Sequence, residues 1–181
     1  MSTVRQLLLD DSFKFKSEHG GEYSIGKRKG KRPFSRKKSM HLTLKSSKAI
    51  GQWSLLNFRK PIEKMIQRAA KRRDVRVYDL ANSGNHIHLL FRAKEKREFQ
   101  NFLREISSKI AKQVTGARKG RASGRFFDLL AFTRVIEWGK AFQIVKSYLL
   151  QNRLETAGSI PYKERRTRPI IRPPLESKWV P

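Results

Sequence analysis

Two histidines separated by one residue stand in the segment NSGNHIHLLFR, which spans residues 82–92. The whole chain holds only 4 histidines. Because side chains alternate along a strand, His86 and His88 would project from one face, about 6–7 Å apart by the strand rise. Ile87 and Leu89 would point to the opposite face, where an apolar core can form. Two imidazoles in this arrangement can bind one divalent metal ion, although a hydrogen-bonded or exposed pair is the commoner outcome.

A second group of residues able to do chemistry lies in a segment with helical periodicity, residues 140–158. Its apolar stripe includes Tyr148 and continues one helical turn later with Asn152. An amide at such a position needs a partner, because burying it unsatisfied costs roughly 1–3 kcal/mol. One interpretation makes the tyrosine a core aromatic and the asparagine a helix cap. The other places the phenol over the histidines as a nucleophile and the amide oxygen beside them as a metal ligand.

The charge of the chain indicates a polyanionic partner. Its 181 residues include 42 Lys and Arg against 15 Asp and Glu, which gives a formal net charge of +27. Repulsion among so many positive charges opposes compaction of the chain unless a polyanion neutralises them. A nucleic acid is therefore the favoured partner, and an anionic membrane is the other candidate. No stretch approaches the roughly 18 apolar residues of a membrane span. The absence of cysteine excludes disulfides and thiol nucleophiles and fits a reducing compartment.

The elements that must position these residues follow the order β-α-β-β-α-β-α. Strands are predicted at 40–47, 75–81, 86–93 and within 126–138, and helices at 57–73, 96–116 and 140–158. The turn residues of 82–85 predict a hairpin between the second and third strands. The first six elements are those of an α+β, ferredoxin-like split βαβ fold, in which helices pack on one face of an antiparallel sheet.

Basic segments flank the predicted domain. We divide the chain into a basic N-terminal arm (1–38), a folded domain (39–158) and a basic, proline-rich C-terminal tail (159–181). The arm is expected to have little fixed structure alone, and it is either a DNA-binding segment or a solvated tail. Together with the glycine-punctuated loop 117–125, it would bind phosphates of the DNA backbone. The candidate DNA-binding residues are Lys27, Arg28, Lys29, Lys31, Arg32, Arg36, Lys37, Lys38, Arg118, Lys119, Arg121 and Arg125. The candidate base-stacking aromatics are Phe34, Trp53, Trp138 and Tyr162.

The segment GNHIHLLF, the long helix after it and the later YLLQN resemble the single-tyrosine HUH transposases, especially the REP-associated tyrosine transposase type. The resemblance covers roughly residues 40–158 and implies an HUH endonuclease-type catalytic domain. Two positions depart from the family pattern. Ser83-Gly84-Asn85 stands where relatives often have Met-Pro-Asn, and Asn152-Arg153 stands where relatives often have Asn-Pro.

The resemblance implies a role for each candidate residue. His86, His88 and Asn152 would hold a divalent metal ion, Mg²⁺ or Mn²⁺, with the neighbouring Gln151 as the alternative third ligand because some relatives use glutamine. Tyr148 would attack a DNA phosphodiester to form a 5′-phosphotyrosine intermediate, and the released 3′-hydroxyl would allow strand transfer without ATP. The implied partner is single-stranded, hairpin-forming DNA in the bacterial cytoplasm, near the nucleoid, and a homodimer is an open alternative to a monomer.

Two other functions fit parts of the sequence. A non-catalytic nucleic-acid-binding module derived from such a transposase explains the net charge equally well, but it gives no reason for the histidine pair and the tyrosine helix. A plasmid relaxase or replication initiator of the wider HUH class is disfavoured, because those proteins tend to have additional domains. The acidic residues form no obvious carboxylate cluster, which disfavours a two-metal nuclease with acidic ligands.

Overall fold

The computed structural model describes residues 18–26, 30–121 and 124–163. Within these ranges the strands are β1 (Glu18–His19), β2 (Ser39–Lys45), β3 (Val75–Asn82), β4 (His86–Ala93) and β5 (Phe132–Ile136), and the α-helices are α1 (Arg59–Arg72), α2 (Lys96–Thr115) and α3 (Lys140–Thr156). The predicted α+β class and the predicted order of elements are confirmed. No helix in the described ranges is long and apolar enough to cross a membrane.

The five strands form one antiparallel sheet in the order β1-β5-β2-β4-β3. The last four strands of this order give the split βαβ topology that the sequence predicts. β2 and β4 are therefore the two innermost strands of that unit, and their register is fixed residue by residue. Thr43 lies opposite His88, and Lys45 lies opposite His86. The histidine pair therefore lies on β4, an interior strand that is paired on both sides.

Each face of the sheet has its own core. Alternate residues of the central strands, such as Leu42 and Leu89, pack with α1 and α2 on one face, whereas Leu90 packs with Val145 and Leu149 of α3 on the other. Leu89 and Leu90 are both fully buried, because β4 is covered on both sides. The expectation of helices on one face therefore holds for α1 and α2. The third helix lies over the histidine face.

The N-terminal arm is more structured than the sequence indicates. Glu18 and His19 pair with β5 as a short edge strand, and a 3₁₀ turn follows at Gly21–Ser24. Gly20 has φ 84°, and a Cβ built there would lie 2.1 Å from the carbonyl oxygen of Ala131. Only glycine fits this position, since any side chain would both clash with backbone and adopt a left-handed conformation.

The second half of the arm also contacts the folded domain. The Arg32 guanidinium donates hydrogen bonds to the carbonyl oxygen of Ala131 at 2.7 Å and to Thr133 Oγ1 at 2.6 Å. The Phe34 ring stacks on Phe99 of α2 with 6.0 Å between centroids. These contacts correct the expectation of little fixed structure for residues 30–38, because charge alone does not reveal which cations have partners. The expectations for residues 1–17, 27–29 and 164–181 fall outside the described ranges.

Candidate active site

A tight turn sets the position of the histidine pair. Gly84 has φ 86°, and its amide donates a hydrogen bond to Asn82 Oδ1 at 3.1 Å. The Ser83 amide donates to the carbonyl oxygen of His86 at 2.9 Å, so β4 begins at that histidine. The rings of His86 and His88 then lie on one face with 4.7 Å between centroids. This is the shared face that the alternation of strand side chains predicts.

Both imidazole rings have a side-chain hydrogen-bond partner at Nδ1, which sets their orientation. His86 Nδ1 lies 2.5 Å from Asn85 Oδ1. His88 Nδ1 lies 3.0 Å from Thr43 Oγ1 and 3.2 Å from His41 Nε2. In metal sites a hydrogen bond at one ring nitrogen fixes the tautomer and leaves the other as the ligand atom. The pair is therefore suited to bind a cation through Nε2 of each ring.

A third histidine completes the cluster and was missed by sequence reasoning. His41 on β2 is 4 % exposed, and its ring stacks on His88 with 5.2 Å between centroids. Burial holds the pKa of His41 well below its usual value, and the charge of Arg134 lowers that pKa further, so the ring is neutral at neutral pH. The alternation in HLTLK placed it on the polar face of β2. Only the register with β4 shows that it contacts His88.

Helix α3 brings the tyrosine onto the same cluster. Tyr148 Oη lies 3.4 Å from His88 Nε2, and the two rings meet edge to face at 5.2 Å between centroids. Val145 and Leu149, which flank the tyrosine on the same stripe, are buried against the sheet. The tyrosine is thus on the side of the helix that faces the sheet, next to the ring nitrogen that could bind a metal ion.

The two candidate amides have different surroundings. Asn152 is 2 % exposed, and its Nδ2 donates to the carbonyl oxygen of Tyr148 at 2.8 Å. An amide oxygen is the kind of donor that a hard metal ion accepts. Gln151 is half-buried, and its Nε2 donates to Glu155 Oε1 at 2.8 Å. Burial on the stripe that faces the sheet favours the asparagine as the third ligand.

Among the described residues, no group of three or more His, Cys, Asp and Glu side chains is arranged to hold a metal ion. Amide oxygens are not among those donors. The donors expected from the sequence are two imidazoles and one carboxamide oxygen, which is a different set. The hydrogen bonds at both Nδ1 atoms are compatible with such a site, because metal-binding histidines are commonly oriented through the ring nitrogen that does not bind the ion.

An ion pair anchors the end of α3 to β3. The Arg153 guanidinium donates to Asp79 Oδ1 and, at 3.1 Å, to the carbonyl oxygen of Leu80. The aspartate side chain is only 8 % exposed. This anchor lies one residue beyond Asn152, so it helps to hold the tyrosine and the amide against the sheet. It also occupies the position where relatives often have proline.

We expect Arg153→Met to lower the free energy of unfolding by about 1–3 kcal/mol, because it leaves the Asp79 carboxylate without its cation. Urea denaturation followed by circular dichroism measures this loss. Arg104→Met is the matched control, since that arginine is exposed on α2. Equal stability of both variants would show that the ion pair does not anchor α3.

The predicted DNA-binding residues fall into three groups. Lys27, Arg28 and Lys29 lie outside the described ranges. The Arg32 guanidinium is bound to the domain, and the Lys38 ammonium is paired with Glu137. The exposed remainder is Lys31, Arg36, Lys37, Arg118, Lys119, Arg121 and Arg125.

Two of the four candidate base-stacking aromatics are engaged by the folded domain, and the other two are accessible. The Phe34 ring is occupied by Phe99, and the Trp138 indole donates to the carbonyl oxygen of Lys37 at 2.7 Å while packing against Phe142. Trp53 is 38 % exposed and Tyr162 is 73 % exposed. These last two rings have the accessible faces that base stacking requires.

The sequence was compared with models of known protein families and with curated proteins. Residues 41–149 match the family model described as "Transposase IS200 like". The matched range begins at His41 and includes His86, His88 and Tyr148. No curated protein matches the sequence.

Two solved structures are similar to this chain. The structure of a REP-associated tyrosine transposase bound to a REP hairpin is 15 % identical, with a TM-score of 0.58, and the match covers 74 % of this chain and 76 % of that chain. A putative transposase from Deinococcus radiodurans R1 is 13 % identical, with a TM-score of 0.43, covering 70 % of this chain and 98 % of that chain. The first likeness confirms the fold.

Proposed function

The chain belongs to the IS200-like transposase family, and we propose that it cleaves and rejoins single-stranded DNA with Tyr148 as its nucleophile. The observation that supports this most is the 3.4 Å distance between Tyr148 Oη and His88 Nε2. A tyrosine in the apolar core would not place its hydroxyl against the histidine pair. A phenol at this position can instead reach a phosphate bound at the same face of the sheet.

We propose that His86 and His88 bind a divalent ion through Nε2 and that the Asn152 amide oxygen is the third ligand, with Gln151 as the alternative. When bound, Mg²⁺ or Mn²⁺ would polarise the scissile phosphate and stabilise the negative charge of the transition state. Two nitrogen donors and one oxygen donor suit Mn²⁺ better than Mg²⁺.

The proposed reaction is a transesterification. Tyr148 Oη attacks the phosphorus, the P–O3′ bond breaks, and the phenolic proton passes to solvent while the departing oxygen takes up a proton as the 3′-hydroxyl. The product is a 5′-phosphotyrosine ester. A 3′-hydroxyl can attack this ester and restore a phosphodiester, which releases the phenol. One phosphoester bond is made for each one broken, so no nucleotide hydrolysis is required.

The substrate we propose is a single-stranded hairpin. The net charge of +27 and the exposed cations near β2 and after α2 suit a DNA backbone. The solved relative of the same fold is bound to a REP hairpin. The discriminating test is incubation with a labelled hairpin and Mn²⁺, followed by denaturing electrophoresis. Transposase chemistry predicts an adduct that resists SDS and is abolished by EDTA, whereas a non-catalytic binding module would bind the hairpin without forming any adduct.

Neutralising the exposed cations of the arm should flatten the salt dependence of DNA binding. We expect Lys31→Gln/Arg36→Gln/Lys37→Gln to reduce the slope of log K against log salt by about 0.7 for each phosphate that the variant no longer binds. Fluorescence anisotropy at several salt concentrations measures the slope. Truncation of residues 1–38 is a poorer test, because Arg32 and Phe34 support the fold.

The matched control neutralises three exposed lysines of α1, a helix on the sheet face opposite the histidines, in the variant Lys60→Gln/Lys64→Gln/Lys71→Gln. Its slope should equal that of the unmodified protein. A flatter slope for the control alone would place the DNA on α1 and contradict the proposed role of the arm.

A further inference from the structure

A cleft beside the histidine pair has no role in the proposed reaction. It lies between the 3₁₀ turn Gly21–Ser24, the second half of β2 and residues 128–132, and we name it the β2 cleft. Its volume is about 590 Å³, within the roughly 300–1,000 Å³ of ligand-binding sites. We propose that the β2 cleft binds one nucleobase of the strand that Tyr148 cleaves, and that Glu22 selects a base with an exocyclic amino group. This inference rests on the proposed function and extends it to the base sequence of the substrate.

The β2 cleft adjoins the proposed metal site, because both use residues of β2. Thr43 lines the cleft, and its Oγ1 lies 3.0 Å from His88 Nδ1. Lys45 also lines the cleft and lies opposite His86 in the register of the two strands. A nucleotide whose phosphate is bound beside the histidines therefore has the cleft next to it.

The charge of the β2 cleft suits a base better than a phosphate. Glu22 and Asp128 line it, and the only cation among its lining residues is Lys45, whose ammonium lies 2.9 Å from Glu22 Oε1. Two carboxylates and one ammonium give the lining a formal charge of −1, in a chain whose net charge is +27. Carboxylates repel backbone phosphates, whereas they accept hydrogen bonds from the N–H groups of a neutral base.

Most of the other lining residues are apolar and accessible. Leu130 is 59 % exposed, Ile25 is 56 % exposed, and Phe132 adds an aromatic ring to the same surface. Such side chains can cover the faces of a base, which are apolar, while its edge meets the carboxylates. A phosphate has no comparable apolar face, so this lining also favours the base.

Backbone contacts hold the walls of the β2 cleft in place without a ligand. The Gly21 amide donates to the carbonyl oxygen of Leu130 at 2.7 Å. A Cβ added at Gly21 would lie 3.0 Å from the Cβ of Phe132, so the turn and β5 are in close contact. On the opposite side, the Asp128 amide donates to the carbonyl oxygen of Lys45 at 3.1 Å. The N-terminal arm thus supplies one wall of a preformed cleft.

Glu22 is better placed than Asp128 to accept a hydrogen bond from a base. Both carboxylate oxygens of Asp128 accept from the Ser47 amide at 2.9 Å, and Oδ1 also accepts from the Ser47 hydroxyl at 2.8 Å. Glu22 binds Lys45 through Oε1, and a carboxylate has about four acceptor positions on its two oxygens. Glu22 can therefore accept from an amino group while it remains paired with Lys45.

The amino group of the base is the feature to vary in the test. Cytosine, adenine and guanine each have an exocyclic amino group. Uracil has a carbonyl oxygen in place of the amino group of cytosine, so it is the matched analogue of cytosine. Hypoxanthine lacks the amino groups of both adenine and guanine, so it is the matched analogue of the two purines.

The first experiment measures binding in EDTA, so that neither a metal ion nor cleavage is needed. The full chain is titrated by fluorescence anisotropy with a labelled hairpin whose short single-stranded flank repeats one of these five bases. At least one amino base should be bound about fivefold or more tightly than its matched analogue. Equal affinity for all five flanks would overturn the inference.

Variants then assign this preference to the β2 cleft. Glu22→Gln should reduce it to less than about twofold, and Leu130→Ala should weaken binding of the preferred flank. Glu137→Gln is the matched control for the glutamate, since it breaks the exposed Lys38–Glu137 ion pair and should keep the preference. Leu150→Ala, at an exposed leucine of α3, is the control for the leucine. A preference that survives Glu22→Gln, or that Glu137→Gln removes equally, would overturn the inference.

The second experiment places the base beside the cleaved bond. In Mn²⁺, an abasic nucleotide on one side of the mapped cleavage position should slow cleavage about tenfold in the unmodified protein and much less in Glu22→Gln/Leu130→Ala. Equal slowing in both proteins, or none on either side, would overturn the inference while the proposed reaction stands. A Glu22-dependent preference without any adduct would instead contradict the proposed reaction and support the base-binding site.

Discussion

Replacing Tyr148 with phenylalanine should abolish the covalent protein–DNA adduct and lower the rate of strand cleavage by about 10³-fold or more, as expected when a nucleophile is removed. The substitution deletes only Oη, the atom that lies 3.4 Å from His88 Nε2. The phenyl ring keeps its edge-to-face contact with His88 at 5.2 Å between centroids. The melting temperature and the affinity for hairpin DNA should therefore be retained.

Tyr162→Phe is the matched control for this experiment. That tyrosine is 73 % exposed beyond the end of α3, so its variant should form the adduct at the normal rate. An adduct that persists in Tyr148→Phe would assign the nucleophile to Tyr23, Tyr78 or Tyr162. The Tyr78 ring packs edge to face against Trp138 and Phe142, which makes it a poor alternative.

Replacing His86 with alanine should remove detectable cleavage at Mn²⁺ concentrations that saturate the unmodified protein. The variant lacks one of the two proposed imidazole ligands, and the Asn85 side chain loses its hydrogen-bond partner at Nδ1 of that ring. DNA binding should weaken much less, since most of its free energy comes from backbone phosphates and Lys or Arg side chains. A labelled-hairpin cleavage assay and anisotropy on the same sample measure both quantities.

His19→Ala is the control that removes an imidazole from β1, away from the site. It should cleave normally. Cleavage by His86→Ala in EDTA would contradict a metal-dependent reaction. Equal losses of cleavage and DNA affinity would instead make His86 a DNA contact.

The fold was predictable because its signals are local. Alternation in β2 and β4 and the apolar stripes of three helices define the elements, and Gly116, with φ 67°, ends α2 where the sequence indicates. The edge strand β1 was not predictable. It has only two residues, and its formation depends on pairing with β5, which is more than a hundred positions away in the sequence.

The candidate site was predictable only in part, for a similar reason. The spacing of His86 and His88 within one strand puts them together whatever the rest of the fold does. The contact of His41 with His88 depends on the register of two strands, and the Arg153–Asp79 anchor depends on where α3 lies on the sheet. No local pattern in the sequence encodes either contact.

The charge of a single residue did not predict whether its side chain binds the folded domain or remains exposed. Arg32 and Arg36 look equivalent in the sequence, yet one guanidinium is bonded to Ala131 and Thr133 and the other is exposed. The net charge predicts a polyanionic partner, but only the packing of the arm identifies which cations are available to it.

The most direct test of the proposed reaction is to identify the residue that is joined to DNA. The protein should be incubated with a hairpin oligonucleotide and Mn²⁺, the adduct digested with protease and nuclease, and the modified peptide sequenced by mass spectrometry. We predict a single modified peptide, with a 5′-linked nucleotide on the phenolic oxygen of Tyr148. A nucleotide on another residue, or tight hairpin binding with no adduct in either Mg²⁺ or Mn²⁺, would contradict the proposed reaction.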